Sequence, residues 1–129
     1  MTTPGHPEPA LDPESLLRLA EELGARGDTA ARRTAVDRAY YSVFLYNREL
    51  LAARGSFSPT HTAQDHRTLP VSLSRALGIR AGNDLVRLRR ARNQFTYNTG
   101  PLPTNLAPAG HWLELAADLI ATAKASSVG

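Results

Sequence analysis

A stretch of twenty-four residues without glycine or proline, from Ala30 to Ala53, constrains the fold more than any other feature of this sequence. Glycine and proline are the residues that most often end helices, so the stretch predicts one helix of about twice the average length. Its apolar residues fall on two adjacent stripes, with Ala35, Ala39, Val43, Tyr46 and Leu50 on one and Val36, Tyr40, Phe44 and Leu51 on the other. A helix that is apolar over so much of its circumference lies at the centre of a bundle or is shared with a dimer partner. We interpret its tyrosines as packing groups whose hydroxyls lie at the rim of the core.

Start and stop signals predict four further helices around this one. The predicted starts of all five helices are Asp12-Pro13, Asp28, Pro70, Asn83-Asp84 and Pro108, and the predicted ends are Gly24 to Gly27, Gly55, Gly78, Asn98 and Ala125. No useful segment alternates between apolar and polar residues, so no strand is expected. We therefore predict an all-α fold, an up-and-down bundle of about five helices around the long second helix. It forms a single domain over residues 12–126, with a disordered leader at residues 1–11 and a tail at residues 127–129.

Several classes of protein and site are disfavoured. Cysteine is absent, which removes disulfides and thiolate chemistry and agrees with a reducing compartment. There is no apolar run of about eighteen residues and no signal-peptide pattern, so we expect a cytoplasmic protein with no membrane partner. A glycine-rich phosphate loop, a His-Glu-x-x-His motif and a nucleophile elbow are missing. We interpret His61, His66 and His111 as surface or capping residues, with His66 also able to line a cleft, and expect neither a metal nor a cofactor.

The charge of the chain is unevenly distributed. The net charge is +3, and fourteen of the fifteen basic residues are arginines. Residues 50–113 contain eight arginines against only Asp65 and Asp84, a local excess of +6. Such a segment favours an anionic partner, and the forked guanidinium of arginine suits phosphate especially well. The alternative interpretation is an ordinary solvated helix face.

Within this basic segment, Arg92 lies on the predicted core stripe of the fourth helix, together with Leu85, Leu88 and Phe95. Unpaired burial of a guanidinium is costly, so Arg92 needs a compensating partner. That partner is a carboxylate such as Asp37, a set of backbone carbonyls, or an anionic ligand in a cleft. The sequence leaves these alternatives open.

The residues around Arg92 suit a phosphate group. Arg92 offers charge and two parallel hydrogen bonds, Asn93 offers an amide, and Tyr97 offers a hydroxyl. Three more arginines point away from the core stripe and are candidate phosphate contacts: Arg87, Arg89 and Arg90.

Two segments of the chain resemble those of a known superfamily. The long helix contains, between Arg33 and Phe44, the run Arg38-Ala39-Tyr40-Tyr41-Ser42-Val43-Phe44. It resembles the Arg-Ala-Tyr-Tyr-Ala-x-Phe signature of the HEPN superfamily, the higher eukaryotes and prokaryotes nucleotide-binding domains. The segment Leu88 to Tyr97 lies where that superfamily has its Arg-Asn motif. The helical layout is similar from about Pro13 to Ser126, so the resemblance implies a HEPN-like bundle.

The resemblance also implies a function. In the metal-independent endoribonucleases of the superfamily, a histidine follows the motif arginine and a polar residue. Arg92 and Asn93 match the first two positions, and Tyr97 stands in place of the histidine. The resemblance implies a homodimer of a toxin–antitoxin or defence type, with RNA or a nucleotide bound in a basic cleft between subunits. It also implies a minimal nucleotidyltransferase as a partner.

Two functional alternatives follow from this match. In one, Arg92, Asn93 and Tyr97 cleave RNA without a metal ion. In the other, the protein is a non-catalytic dimeric adaptor or binding module that uses the same cleft. Tyrosine is a poorer proton acceptor than histidine at neutral pH, which is why the replacement by Tyr97 leaves both open.

Overall fold

A computed structural model of the protein describes residues 8–128. These residues form a bundle of five helices, α1 (Pro13–Arg26), α2 (Thr29–Ala53), α3 (Asp65–Leu77), α4 (Ile79–Tyr97) and α5 (Ala109–Val128). No strand occurs in this part of the chain, which confirms the predicted all-α class. The long α2 contacts each of the other four helices, so the central position predicted for it is confirmed.

The junction between the first two helices follows the local sequence signals. The carboxylate of Asp12 caps α1 by accepting a hydrogen bond of 3.1 Å from the Glu14 amide. The helix ends at Gly27, whose φ of +82° lies in the left-handed region that favours glycine. Asp28 then caps α2 by accepting a bond of 3.1 Å from the Ala31 amide. A cap of this kind contributes about 1 kcal/mol, and together these signals place α1 against α2.

The core is built on both apolar stripes of α2. Seven of the nine residues predicted for the stripes are buried: Ala35, Val36, Ala39, Tyr40, Val43, Phe44 and Leu51. The other helices contribute apolar residues that include Leu69, Leu73, Leu85, Leu88, Trp112, Ala116 and Ile120. Burial of one large apolar side chain contributes about 1.5–3 kcal/mol relative to exposure. This packing holds the C-terminal half of α4 against α2.

The predicted start of α3 at Pro70 is wrong. The helix begins at Asp65, and Pro70 lies inside it, where the missing amide removes one helical hydrogen bond. The Asp65 carboxylate organises the preceding loop instead. It accepts bonds from the Thr60 hydroxyl at 2.7 Å and from the Thr60 and His61 amides at 3.0 Å each. These bonds, that of the Thr60 hydroxyl most of all, lower the pKa of Asp65.

The predicted start of α4 at Asn83 and Asp84 is also wrong. A single residue, Gly78, separates α3 from α4, and its φ of +106° allows the chain to turn there. The helix therefore begins at Ile79. Asn83 and Asp84 lie within the helix and do not cap it.

Gly82 lets α3 and α4 approach each other closely. A Cβ atom built on Gly82 would lie 2.5 Å from the backbone carbonyl oxygen of Pro70 and would overlap Ser74 Oγ. Real atoms do not approach a carbonyl oxygen so closely without movement of the backbone. The absence of a side chain at this position is therefore a packing requirement of the α3–α4 contact.

The two ends of the predicted domain compare differently with the structure. α5 runs to Val128, past the predicted end at Ala125 and into the predicted tail. Most of the predicted leader, residues 1–7, lies outside the described residues. Residues 8–11 precede α1 without forming a helix. Within the described chain, none of the helices combines the length and apolar character needed to cross a bilayer.

Candidate functional site

Arg92 is the centre of the candidate site. It lies on the C-terminal half of α4, and its side chain is only 11% exposed, as its position on the core stripe predicts. Its Nε donates a hydrogen bond of 2.8 Å to Asp37 Oδ1 on α2. The ion pair with Asp37, one of the partners that the sequence left open, is therefore present.

The terminal nitrogens of Arg92 make two further bonds. Nη2 donates to the Tyr41 hydroxyl at 2.8 Å, and Nη1 donates to Asn93 Oδ1 at 3.1 Å. Its guanidinium carbon also lies 4.9 Å and 5.2 Å from the ring centroids of Tyr41 and Tyr97. Burial, the largest single effect, lowers the pKa of Arg92, but the hydrogen bond to Asp37 together with the electrostatic effects of Tyr41, Asp37 and Tyr97 outweighs it, so the pKa is raised. Within residues 8–128, three of the five N–H groups of Arg92 donate a hydrogen bond and two have no acceptor.

One side of α2 fixes the end of α4. Arg33, Asp37 and Tyr41 are four residues apart and so lie above one another on the helix. Arg33 donates to the carbonyl oxygens of Asn98 and Gly100, the latter at 3.0 Å. Asn98 caps α4 and Gly100 lies in the loop after it, so Arg33 ties the chain that leaves α4 to α2.

An open cleft runs along the last three turns of α4. We call it the Arg89–Tyr97 cleft, and it is lined by Arg89, Arg92, Asn93, Gln94, Tyr97 and Asn98. It brings together four of the six predicted site residues, and none of these described lining residues is a carboxylate. The Nε of Arg89 is buried and has no hydrogen-bond partner within residues 8–128. Tyr97 is 67% exposed, so most of its side chain is in contact with solvent.

The other two predicted phosphate contacts, Arg87 and Arg90, lie in a neighbouring groove. We call it the Trp112 groove, and it is lined by Arg87, Arg90, Ala91, Asn93, Gln94, Leu106 and Trp112. Arg87 donates to Asp84 at 3.2 Å, and its guanidinium carbon lies 5.8 Å from the Trp112 ring centroid. Both depressions include Asn93 and Gln94 in their lining, so these two amides form the ridge between them.

His66 lies beside the candidate site. From the sequence it was interpreted as a surface or capping residue that could also line a cleft. Its Nδ1 lies 2.6 Å from the Tyr40 hydroxyl, and its ring stacks on Phe44 with centroids 4.1 Å apart. Burial, together with the positive charges of Arg89 and Arg92, lowers the pKa of His66. Burial raises the pKa of Tyr40, so its hydroxyl stays protonated at neutral pH. The neutral imidazole is thus the form that suits this environment.

Two tyrosines of α2, Tyr40 and Tyr41, form hydrogen bonds in addition to packing contacts. Tyr40 is fully buried with its hydroxyl on His66, and Tyr41 bonds Arg92. In the sequence, only the predicted core position of Tyr40 indicated such a hydrogen bond, because a buried phenol needs a partner. That partner lies on another helix, and no spacing within α3 indicates it.

The chemistry of the Arg89–Tyr97 cleft is that of a donor-rich surface. Guanidinium groups of Arg89 and Arg92, amides of Asn93 and Gln94, and the phenol of Tyr97 all present N–H or O–H groups. Such a surface complements phosphate oxygens. Comparison of the chain with protein-family models, with curated proteins and with solved structures finds no match.

Proposed function

We propose that the protein binds RNA through phosphate contacts in the Arg89–Tyr97 cleft. The observation that carries the proposal is the placement of two guanidinium groups, those of Arg89 and Arg92, in one open cleft without a lining carboxylate. Asp37 neutralises Arg92 from behind, on α2, whereas Arg89 Nε has no partner in the described chain. A phosphate in the cleft compensates the charge of Arg89 and accepts hydrogen bonds from Arg92, whose own charge is balanced by Asp37. The position of Arg92 is fixed before binding, which reduces the ordering cost.

Tyr97 supports RNA as the ligand. Its exposed ring lines the same cleft, and the ring centroid lies 5.2 Å from the guanidinium carbon of Arg92. Bases stack on exposed aromatic rings in proteins that bind unpaired strands. The proposed ligand is therefore single-stranded RNA, with a phosphate at Arg89 and Arg92 and a base at Tyr97.

The resemblance of two segments to the HEPN superfamily supports the same function. On this proposal the protein is a HEPN-type homodimer of the toxin–antitoxin or defence type, active in the cytoplasm, whose partner is a minimal nucleotidyltransferase. The exposed residues of the cleft at the end of α4 are available to a second subunit. Light scattering of the purified protein tests the dimer, and a monomer at micromolar concentration contradicts a cleft formed between subunits.

RNA cleavage without a metal ion is the second candidate function. The observation that favours it is His66, which brings an imidazole to the arginine cluster although the motif position is occupied by Tyr97. His66 contacts Tyr40, whose ring centroid lies 5.6 Å from the guanidinium carbon of Arg92. On this proposal Arg92 and Asn93 bind the phosphate and Tyr97 donates a hydrogen bond to it. Binding without cleavage identifies the non-catalytic adaptor instead.

The binding proposal is tested by the dependence of RNA affinity on salt. Arg89→Met removes one charge from the cleft, and we expect about tenfold weaker binding with a salt slope smaller by about one. Arg75→Met is the matched control. Arg75 is exposed in the last turn of α3. It lies near the N-terminus of α4, whereas the cleft lies at the C-terminal end of that helix. Equal effects of the two substitutions, or an affinity that does not change with salt, contradict phosphate binding in the cleft.

The cleavage proposal is tested with total RNA in EDTA. The wild-type protein, Arg92→Ala and His66→Gln are incubated in parallel, after circular dichroism has established that each variant is folded. Cleavage that is lost in both variants supports a ribonuclease that uses this site. Equal cleavage by all three proteins assigns the activity to another site or to a contaminant.

A further inference from the structure

The hydrogen bonds around Gln94 determine which end of its amide is available. The Gly100 amide donates to Asn98 Oδ1 at 3.0 Å, so the other end of the Asn98 side chain is its NH₂ group. That Nδ2 donates to Gln94 Oε1 at 3.2 Å. The carbonyl end of Gln94 is therefore occupied. Its Nε2 has no partner among residues 8–128 and is available as a donor.

The same logic applies to Asn93. Its Oδ1 accepts a hydrogen bond from Arg92 Nη1 at 3.1 Å. Because a guanidinium can only donate, the oxygen of the amide must face Arg92. The Nδ2 of Asn93 is left as a donor. Asn93 and Gln94 are both exposed on the ridge that borders the Trp112 groove.

The rest of the Trp112 groove combines an apolar floor with positive charge. Leu106, Ala91 and Trp112 form the floor. The indole is held in place, since its Nε1 donates to the Ala107 carbonyl at 3.0 Å. The guanidinium of Arg87 lies over the indole, and a planar guanidinium is itself a surface on which a nucleobase stacks.

The available polar side-chain groups of this groove are all donors. Arg87 and Arg90 can only donate, and the free ends of Asn93 and Gln94 are NH₂ groups. Uracil and guanine present carbonyl oxygens at the positions where cytosine and adenine present amino groups. If cytosine or adenine binds instead, its amino group faces these NH₂ groups, and neither donor has an acceptor. The lost hydrogen bonds disfavour cytosine and adenine.

We propose that the Trp112 groove selects a keto base, uracil or guanine, in an RNA strand that crosses the Asn93–Gln94 ridge. This inference rests on the proposed function, because the strand is positioned by its phosphate in the adjacent Arg89–Tyr97 cleft. The base lies on the apolar floor beside Arg87, and its carbonyl oxygens accept bonds from Asn93 and Gln94. Arg90 contacts the backbone of the strand.

The test compares oligo(U) with oligo(C), each of about twelve nucleotides, by fluorescence anisotropy. These strands differ at the carbonyl and amino groups that the groove discriminates, and both are unstructured. We expect wild-type protein to bind oligo(U) about three- to tenfold more tightly, as one or two neutral hydrogen bonds allow. Oligo(C) with one central uridine or one central guanosine then shows which keto base fits: a gain in affinity with either supports the proposal.

Gln94→Met removes the donor and keeps the shape of the side chain, so we expect it to reduce the preference for oligo(U) at least twofold while the salt slope is unchanged. Gln64→Met, a matched change at an exposed residue preceding α3, leaves the preference intact. Equal binding of oligo(U) and oligo(C), with both sensitive to Arg89→Met, overturns the keto-base inference alone. Binding that is insensitive to Arg89→Met overturns the proposed function itself.

Discussion

Asp37 on α2 and Arg92 on α4 form a hydrogen-bonded ion pair of 2.8 Å, in which both side chains are largely buried, at 14% and 11% exposure. Removal of Asp37 leaves the Arg92 charge without a carboxylate, and removal of Arg92 leaves Asp37 with only the longer contact to Arg38 at 3.7 Å and a bond from Thr96 at 3.3 Å. We predict that Arg92→Met and Asp37→Asn each lower the free energy of unfolding by about 3 kcal/mol. Urea denaturation monitored by circular dichroism measures this change.

Two comparisons make the prediction specific. The double variant costs less than the sum of the single variants, because its second substitution removes a charge that is already unpaired. Arg87→Met breaks the more exposed pair with Asp84 and costs less than about 1 kcal/mol. Additive effects of the first two substitutions show that the pair is not coupled.

The lowered pKa of His66 makes stability depend on pH. Burial and the charges of Arg89 and Arg92 lower the pKa of His66 in the folded protein, so the unfolded chain takes up a proton first as the pH falls. The free energy of unfolding therefore decreases below about pH 6.5 and continues to decrease until His66 is protonated in the fold. We predict this loss between about pH 7 and pH 5 in denaturation curves of the wild type, and its absence in His66→Gln.

Asp65 provides the control for this pH dependence. Its pKa is lowered in the fold, chiefly by the Thr60 hydroxyl, so its contribution to stability is lost only below about pH 4. Asp65→Asn should keep the loss between pH 7 and pH 5 and lack the loss at lower pH. A His66→Gln profile identical to that of the wild type above pH 5 contradicts the assignment to His66.

Gly82 at the α3–α4 contact gives a prediction about packing. A Cβ atom at this position meets the Pro70 carbonyl oxygen at 2.5 Å, so Gly82→Ala must move the two helices apart. We expect a loss of about 1–3 kcal/mol, although alanine is by itself the better helix former. Gly110→Ala, in the first turn of α5 where a Cβ meets no atom within 4 Å, should be neutral or slightly stabilising. Thermal unfolding of both variants measures the difference, and equal melting temperatures contradict the close approach.

Tyr97 offers a test of base stacking that leaves stability nearly unchanged. Its ring is largely exposed, so Tyr97→Ala should alter unfolding little but weaken RNA binding at least fivefold, as loss of one stacked base does. Tyr97→Phe keeps the ring and removes the hydroxyl. If stacking is the main contribution, the affinity of Tyr97→Phe remains within about twofold of the wild type. A loss as large as that of the alanine variant assigns the effect to the hydroxyl and its hydrogen bond with phosphate.

The parts of the fold that the sequence predicted are those set by local signals. Asp28 and Gly27 act on their immediate neighbours, and the absence of helix-ending residues defined α2 at nearly its observed length. The starts of α3 and α4 were wrong for a different reason. Pro70 is tolerated inside a helix, and Gly78 ends one helix and begins the next, because contacts between helices override local preference.

The candidate site was also predictable only in part. The spacing of Arg92 on an apolar stripe indicated that it needs a partner, and Asp37 was among those expected. The role of His66 was not predictable, since it depends on how α3 is placed beside Tyr40 and Phe44. The separation of Arg87 and Arg90 from the Arg89–Tyr97 cleft depends likewise on the position of Trp112, which lies on α5.

The alignment of Arg33, Asp37 and Tyr41 on one side of α2 has a mechanical consequence. Asp37 and Tyr41 bond two nitrogens of the same residue, Arg92, and Arg33 bonds the carbonyl oxygens of Asn98 and Gly100 just after α4. A shift of either helix by one turn, about 5.4 Å, breaks all three connections together, so the sliding register of the two helices is fixed. Arg92, the residue proposed to meet the ligand, is therefore joined directly to the central helix of the bundle.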